Sequence, residues 1–255
     1  MSSHKDMLDV RNEDALSYVK SLSDNSVDLV LTDPPYAISR DTNFKSGELK
    51  GTDVDRFRIS YDFGEWDVVD EDYFRVLFKE TYRVMKKGGT LVCFYDIWKL
   101  ESLKGILESC GFRMFRFIEW VKTNPVPINS KVNYLTNARE VAIVCVKGSK
   151  PTFNNSYHNG IYSYPIYQGE DRFHTTQKSL KLFEEIILNH SNEGDVVLDM
   201  FLGSGTTIVA ANNLKRACFG CEKDLNYYTQ TLERINKHIN KHLESKKWIR
   251  THEKL

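Results

Sequence analysis

The feature that most constrains this chain is a repeated alternation: short apolar runs, each closed by a turn and followed by a segment with helical spacing. The carboxyl-terminal part shows it clearly, with "GDVVLDM", "GTTIVAANNL", "RACFGCE" and "LNYYTQTLERINKHI" in succession. Strands that are apolar on both faces, separated by helices, imply a mainly parallel sheet covered on both sides. The earlier chain fits the same scheme. "NEDALSYVKSLSDNS" reads as a short helix and "VDLVLTD" as a strand. "DEDYFRVLFKETYRVMKKGG" has helical spacing at Phe74, Leu77, Phe78, Tyr82 and Met85 and a glycine stop. "TLVCFYD", "FRFIEWVK" and "AREVAIVCVK" read as strands, and "WKLESLKGILESCGF" and "KSLKLFEEIILNHS" as helices. Residues 37–65, 124–137 and 148–173 have no clear period, and loops of that length in a compact domain are usually functional.

The chain has 255 residues and one sizeable core is expected, as a single domain. With 35 basic and 35 acidic residues the formal net charge is zero, so any nucleic-acid surface must be local. Five scattered cysteines (Cys93, Cys110, Cys145, Cys218, Cys221) read as reduced thiols of a cytoplasmic protein. The Cys218/Cys221 CxxC stands alone, with too few further ligands for zinc, so no metal is expected. No apolar run reaches membrane-spanning length, and the amino terminus has no signal-peptide stretch.

Two short stretches carry chemistry. In "LDMFLGSGTT", Gly203 and Gly205 allow a tight turn between a strand and a helix. Glu222 follows 19 residues after Gly203, at the end of the next strand. An acid there can hold ribose hydroxyls. Nothing resembles a phosphate cradle, so the ligand reads as a nucleoside without pyrophosphate. In "TDPPY", Pro34 and Pro35 cannot donate ladder hydrogen bonds and therefore end the strand. They leave a carboxylate, two rigid residues and the ring of Tyr36 at a strand's carboxyl end, where open α/β sheets bind ligands. No His or second carboxylate stands close to Asp33 in the sequence in a way that predicts an acid–base pair.

Together with "DFGEW", "WVKTNPVP", "HTTQKSLKLFEEII" and "CFGCEKD", these stretches make the chain resemble the beta-class DNA amino-methyltransferases, which use S-adenosylmethionine. The likeness runs from about residue 8 to 235, with the catalytic motif first and the cofactor turn near the carboxyl end. It implies a doubly wound, mostly parallel seven-stranded sheet of the S-adenosylmethionine-dependent methyltransferase type, in permuted order. It also implies a target-recognition insertion at about 124–173. Two positions depart from the family pattern: Thr175 and Met200 stand where proline is usual.

The resemblance assigns Asp33, Pro34, Pro35 and Tyr36 to catalysis. The amino nitrogen of a base is a poor nucleophile because its lone pair is delocalised. The Asp33 carboxylate and the rigidly held Pro34 carbonyl would accept its two N–H bonds, and Tyr36 would stack on the flipped base. On the cofactor side, Phe201 would pack on the adenine, and Gly203, Ser204, Gly205 and Thr206 would face the methionine end. Glu222 would hold the ribose, Asp14 would lie near the adenine amine and Lys178 near the carboxylate. An aspartate opening the first motif accompanies N6-adenine more often than N4-cytosine. Adenine in DNA is therefore the expected target, with N4-cytosine the alternative and RNA or protein-glutamine acceptors further behind. Substrate contacts are expected from Trp66, lining the base pocket beside the 37–65 loop, and from Lys122, Asn124, Lys131 and Arg139 in the locally basic stretch 121–150. The implied partner is double-stranded DNA in a prokaryotic or phage setting. The resemblance also allows a homodimer and a cognate restriction endonuclease; no membrane partner is implied.

Overall fold

A computed structural model describes residues 8–35, 71–125, 135–169, 172–173 and 177–252, with 239–252 described as helical backbone only. Eight strands form one sheet: β1 (Leu8–Arg11), β2 (Val27–Thr32), β3 (Met85–Tyr95), β4 (Phe112–Lys122), β5 (Arg139–Lys147), β6 (Ile161–Tyr164), β7 (Val196–Asp199) and β8 (Ala217–Cys221). The helices are α1 (Ala15–Ser21), α2 (Glu71–Val84), α3 (Leu100–Ser109), α4 (Leu180–His190), α5 (Thr206–Asn213) and α6 (Leu225–His252). Strand order is β1-β8-β7-β2-β3-β5-β4-β6. The run from β1 to β3 is parallel throughout, whereas β5 is antiparallel to both neighbours.

The sheet separates two cores. On one face α1, α2 and α3 bury Tyr18, Val19, Phe74, Leu77, Phe78, Leu103 and Leu107. On the other, α4, α5 and α6 bury Leu182, Phe183, Ile186, Ile208, Ala210 and Ile235. β2 supplies both: Val27 and Val30 enter the first core, Leu29 and Leu31 the second, and all four are fully buried. Burial on both faces of the strand puts apolar atoms into each core, each such side chain contributing about 1.5–3 kcal/mol. β8 likewise sends Cys221 into the first core and Cys218 into the second. Three residues apart on one strand, the two thiols face opposite ways and cannot share a metal.

Two details differ from the sequence reading. The expected seven strands are eight, because β6 arises within 148–173, a stretch without period; it pairs with β4 from Glu119↔Ile161 to Lys122↔Tyr164. The α2 helix ends at Val84 instead of running on to the glycines, because Met85 already pairs with Val27 of β2. A Cβ on Gly89 would lie 2.9 Å from the Asp28 carbonyl, so the glycine permits close strand approach here as well as marking a break. Of the interval 124–173, β5 and β6 belong to the main sheet. Among the described residues no helix is long and apolar enough to cross a membrane.

Candidate active site

The carboxyl ends of β8, β7 and β2 lie side by side, and each carries one acid: Glu222 just beyond β8, Asp199 closing β7 and Asp33 just beyond β2. Thr32 ties two of these strand ends together by donating its hydroxyl to Asp199 Oδ1 at 2.9 Å. The two stretches singled out in the sequence, 167 residues apart at this bond, thus share one edge of the sheet.

The glycine turn is held from behind. Gly203 and Gly205 have φ of +48° and +73°, the left-handed region that glycine enters at no steric cost. A Cβ on Gly205 would lie 2.6 Å from Thr231 Cγ2 of α6, so the position admits nothing larger than glycine without displacement. Thr231 donates its hydroxyl to the Gly203 carbonyl, and Arg234 donates to the Ser204 carbonyl at 2.7 Å and to Thr206 Oγ1 at 3.1 Å. Ser204 and Thr206 are buried, and their hydroxyls lie 3.2 Å apart. Thr231 and Arg234, which fix this turn, are not part of any motif; sequence spacing alone gives no signal for them.

Glu222 is fixed by the main chain. Its Oε2 accepts the Gly203 N–H at 2.8 Å and its Oε1 the Asp224 N–H at 2.9 Å. Burial pushes its carboxyl up, against the lowering effect of these N–H groups. The Lys223 N–H also bears on it, and since a carboxylate offers about four acceptor directions, capacity for a further donor remains. Asp199 is more deeply enclosed. Burial drives its carboxyl up to about 6, although Thr207, the Phe201 N–H and Thr32 all donate to it. Phe201 is half-buried and packs against the first core. Asp14 is the N-cap of α1, accepting from Leu16 N at 3.0 Å, and it also accepts the Tyr73 hydroxyl at 3.2 Å.

The Asp33 corner is held by charges. Lys178, which stands two residues before α4, lies 2.8 Å from Asp33 Oδ2 and 2.5 Å from Glu140 Oε2. Lys122, the last residue of β4, lies 2.7 Å from Glu140 Oε1. The Lys178 ammonium also sits 5.2 Å from the Phe94 ring centre. Burial raises the Asp33 carboxyl, and Lys178 opposes this without cancelling it. Burial also pushes Glu140 up, but two lysines outweigh it and hold it down at about 2. Among the described residues Asp33 Oδ1 is buried without a hydrogen-bond partner, as are both amide atoms of Gln177. Such orphaned groups in a native fold call for an explanation, and a ligand is a common one.

The geometry corrects parts of the sequence reading. Asp33 does have carboxylates nearby: Glu140 is one lysine away and Asp199 one threonine away. The strand pairing Trp120↔Glu140 makes β4 and β5 deliver Lys122 and Glu140 together, which no local motif announces. Lys122, expected at the substrate, is largely enclosed, its side chain 11% exposed and 2.7 Å from Glu140. Asn124 is engaged at both ends, donating to the Ile166 carbonyl at 3.3 Å and accepting the Ile166 N–H at 2.6 Å. Arg139 does face solvent, 72% exposed and 3.1 Å from Glu119. Pro34 is buried and Pro35 exposed at the end of β2. Tyr36, Trp66, Lys131 and Thr175 lie outside the described residues.

A mostly parallel sheet covered on both faces, a glycine turn after one strand and an acid after the next fit the S-adenosylmethionine-dependent methyltransferase class. The groups present suit that cofactor: a main-chain-anchored carboxylate with spare acceptor capacity, a backbone turn built on two glycines and an adjacent half-buried ring. Comparison with known proteins narrows the class. A model of the DNA methylase family matches residues 27–233. The type II methyltransferase M.HinfI of Haemophilus influenzae is 30% identical over 246 residues, covering 87% of this chain, which spans 66% of that protein's length. The type II methyltransferase M2.LlaDCHI of Lactococcus lactis subsp. cremoris is 28% identical over 244 residues, 88% of this chain and 87% of its own. The crystal structure of M1.HpyAVI with S-adenosylmethionine aligns at a TM-score of 0.64 and 29% identity, covering 89% of this chain and 100% of that one. The chain belongs to the DNA methylase family, the S-adenosylmethionine-dependent enzymes that methylate exocyclic amino groups.

Proposed function

We propose that the chain transfers a methyl group from S-adenosylmethionine to N6 of an adenine flipped out of sequence-specific sites in duplex DNA. The observation that carries this reading is the Asp33 carboxylate: Oδ2 is pinned by Lys178 while Oδ1 is buried without a partner, beside the glycine turn. A buried acceptor of that kind suits an N–H donor that arrives with the substrate. The flipped base would present its amino group there, with Asp33 Oδ1 accepting one N–H and the Pro34 carbonyl the other. Two acceptors at fixed places draw the nitrogen toward pyramidal geometry and stabilise the positive charge that grows on it. Held in line with the methyl carbon, the amino nitrogen would take the methyl group as its bond to sulfur breaks, S-adenosylhomocysteine would leave, and the surplus nitrogen proton would pass to solvent. The cofactor, when bound, supplies a methyl already activated on a sulfonium, so no general base has to act before attack.

Cofactor contacts fall to Glu222, whose free acceptor directions suit ribose hydroxyls, and to the turn at Gly203, Ser204, Gly205 and Thr206, with Phe201 beside it. Asp14 serves as cap of α1 and acceptor for Tyr73, and has room in its acceptor set for an adenine amine. Lys178, expected near the cofactor carboxylate, lies 2.8 Å from Asp33 Oδ2 and would steady that carboxylate as well.

Incubation with tritiated S-adenosylmethionine and duplex DNA, followed by digestion to nucleosides, tests the reading. N6-methyladenine from the wild-type protein and none from Asp33→Ala is the expected result. N4-methylcytosine would move the specificity to the alternative, and label in RNA or protein but not in DNA would overturn the reading. Single-molecule sequencing of DNA from expressing cells reports the site.

A further inference from the structure

The charged groups around Asp33 form a chain of alternating sign drawn from separate parts of the fold: Asp33 after β2, Lys178 before α4, Glu140 on β5 and Lys122 on β4. We propose that Glu140 and Lys122 are positioning residues which anchor Lys178, keep its ammonium on Asp33 Oδ2 and so leave Oδ1 unpaired for the substrate amine. The inference deepens the function proposed above and rests on it for the identity of that amine.

The geometry supports the assignment in three ways. Lys178 is 6% exposed and shared between two carboxylates, so its place is fixed by both and not by Asp33 alone. Glu140 uses one oxygen for Lys178 and the other for Lys122, so it is neutralised and leaves Lys178 with charge to offer Asp33. The four formal charges cancel, which makes burial of the group tolerable, whereas removing one member strands a charge. A simple pair of Asp33 and Lys178 would leave the ammonium free to swing to Oδ1; the second anchor at Glu140 prevents this. Other titratable groups facing Asp33 are Cys93 of β3, whose thiol burial holds neutral, and Asp199 of β7, linked through Thr32.

The electrostatic signs differ along the chain, and this makes the test specific. Glu140 raises the Asp33 carboxyl, whereas Lys178 and Lys122 lower it. The Asp33 pKa would be read by carboxyl carbon NMR on the whole protein without DNA, the signal assigned by its loss in Asp33→Asn. Glu140→Gln should move it down and Lys122→Met should move it up, each by about half to one pH unit. The double variant, which restores the charge count, should fall between them and covers the case in which a single variant does not fold, circular dichroism melting being the check. With DNA present, Glu140→Gln should lower kcat about tenfold or more, while KM for S-adenosylmethionine changes less than about twofold. Shifts of equal sign, or none, would overturn the proposal whether or not the protein methylates DNA. Opposite shifts without any transfer to DNA would leave the charge chain standing and defeat the functional reading instead. Unchanged kcat in Glu140→Gln beside normal wild-type transfer would overturn the positioning role.

Discussion

The two halves of the site are built from different materials. Glu222, on the proposed cofactor side, is gripped by main-chain N–H groups, Gly203 and Asp224 among them, which do not titrate. Asp33, on the side proposed for the base, is gripped by lysine and, through it, by another acid. A main-chain grip gives constant geometry over a wide range of pH and salt. An ionic grip in a buried setting gives a stronger field at the reacting group but depends on every member being present. Binding a cofactor needs the first; stabilising charge that develops during reaction needs the second.

The contrast breaks most visibly with Asp33→Ala. Methyl transfer should fall by about a thousandfold or more, as on loss of a key charge-stabilising group, with cofactor affinity within about twofold of wild type by calorimetry. If affinity fell with activity, the two corners would not be separate. Glu222→Ala should do the reverse, weakening S-adenosylmethionine binding about ten- to a hundredfold with a smaller effect on kcat at saturation.

The glycine turn offers a structural version of the test. Gly205→Ala forces a Cβ to within 2.6 Å of Thr231 Cγ2 at a φ of +73°, and should cost roughly 1–3 kcal/mol in urea unfolding. Thr231→Ser removes that methyl, so the double variant should recover the steric part and leave the φ part; full additivity would contradict the clash.

Asp199 sharpens the comparison by a smaller amount. Its folded-state value of about 6 lies above the usual carboxylate range, so folding favours its protonated form. The sign follows: this contribution is fully present below about pH 4 and is lost as pH rises through 6, costing roughly 1–3 kcal/mol above that. Asp199→Asn should flatten the stability difference between pH 5 and pH 7.5, read from urea midpoints at the two values. An unchanged slope would assign the pH dependence elsewhere.

Legibility in the sequence follows how local each constraint is. Pro34 and Pro35 act on their own backbone, and Gly203 and Gly205 on theirs, so both stretches can be located and their neighbourhood inferred. The unbroken apolar run in "VDLVLTD" places β2, because burial on both faces leaves its mark along the strand. β6 is only Ile161–Tyr164, with an exposed–buried–exposed pattern too short to register. The charge chain is illegible for a different reason. It requires Lys122 and Glu140 to meet through the register of β4 and β5, and Lys178 to reach across from the approach to α4. Read locally, Lys122 is one more cation in a basic stretch; pairing makes it an interior group.

The hydroxyl bridge from Thr32 to Asp199 has a consequence for synthesis. β2 leaves the ribosome early, but β7, whose Asp199 takes the Thr32 hydroxyl, is made 167 residues later. Contacts so distant in the chain form late and slowly. On the proposed site, a nascent polypeptide that stops before the glycine turn carries a seat for one reactant and none for the other, and such truncated products should be inert.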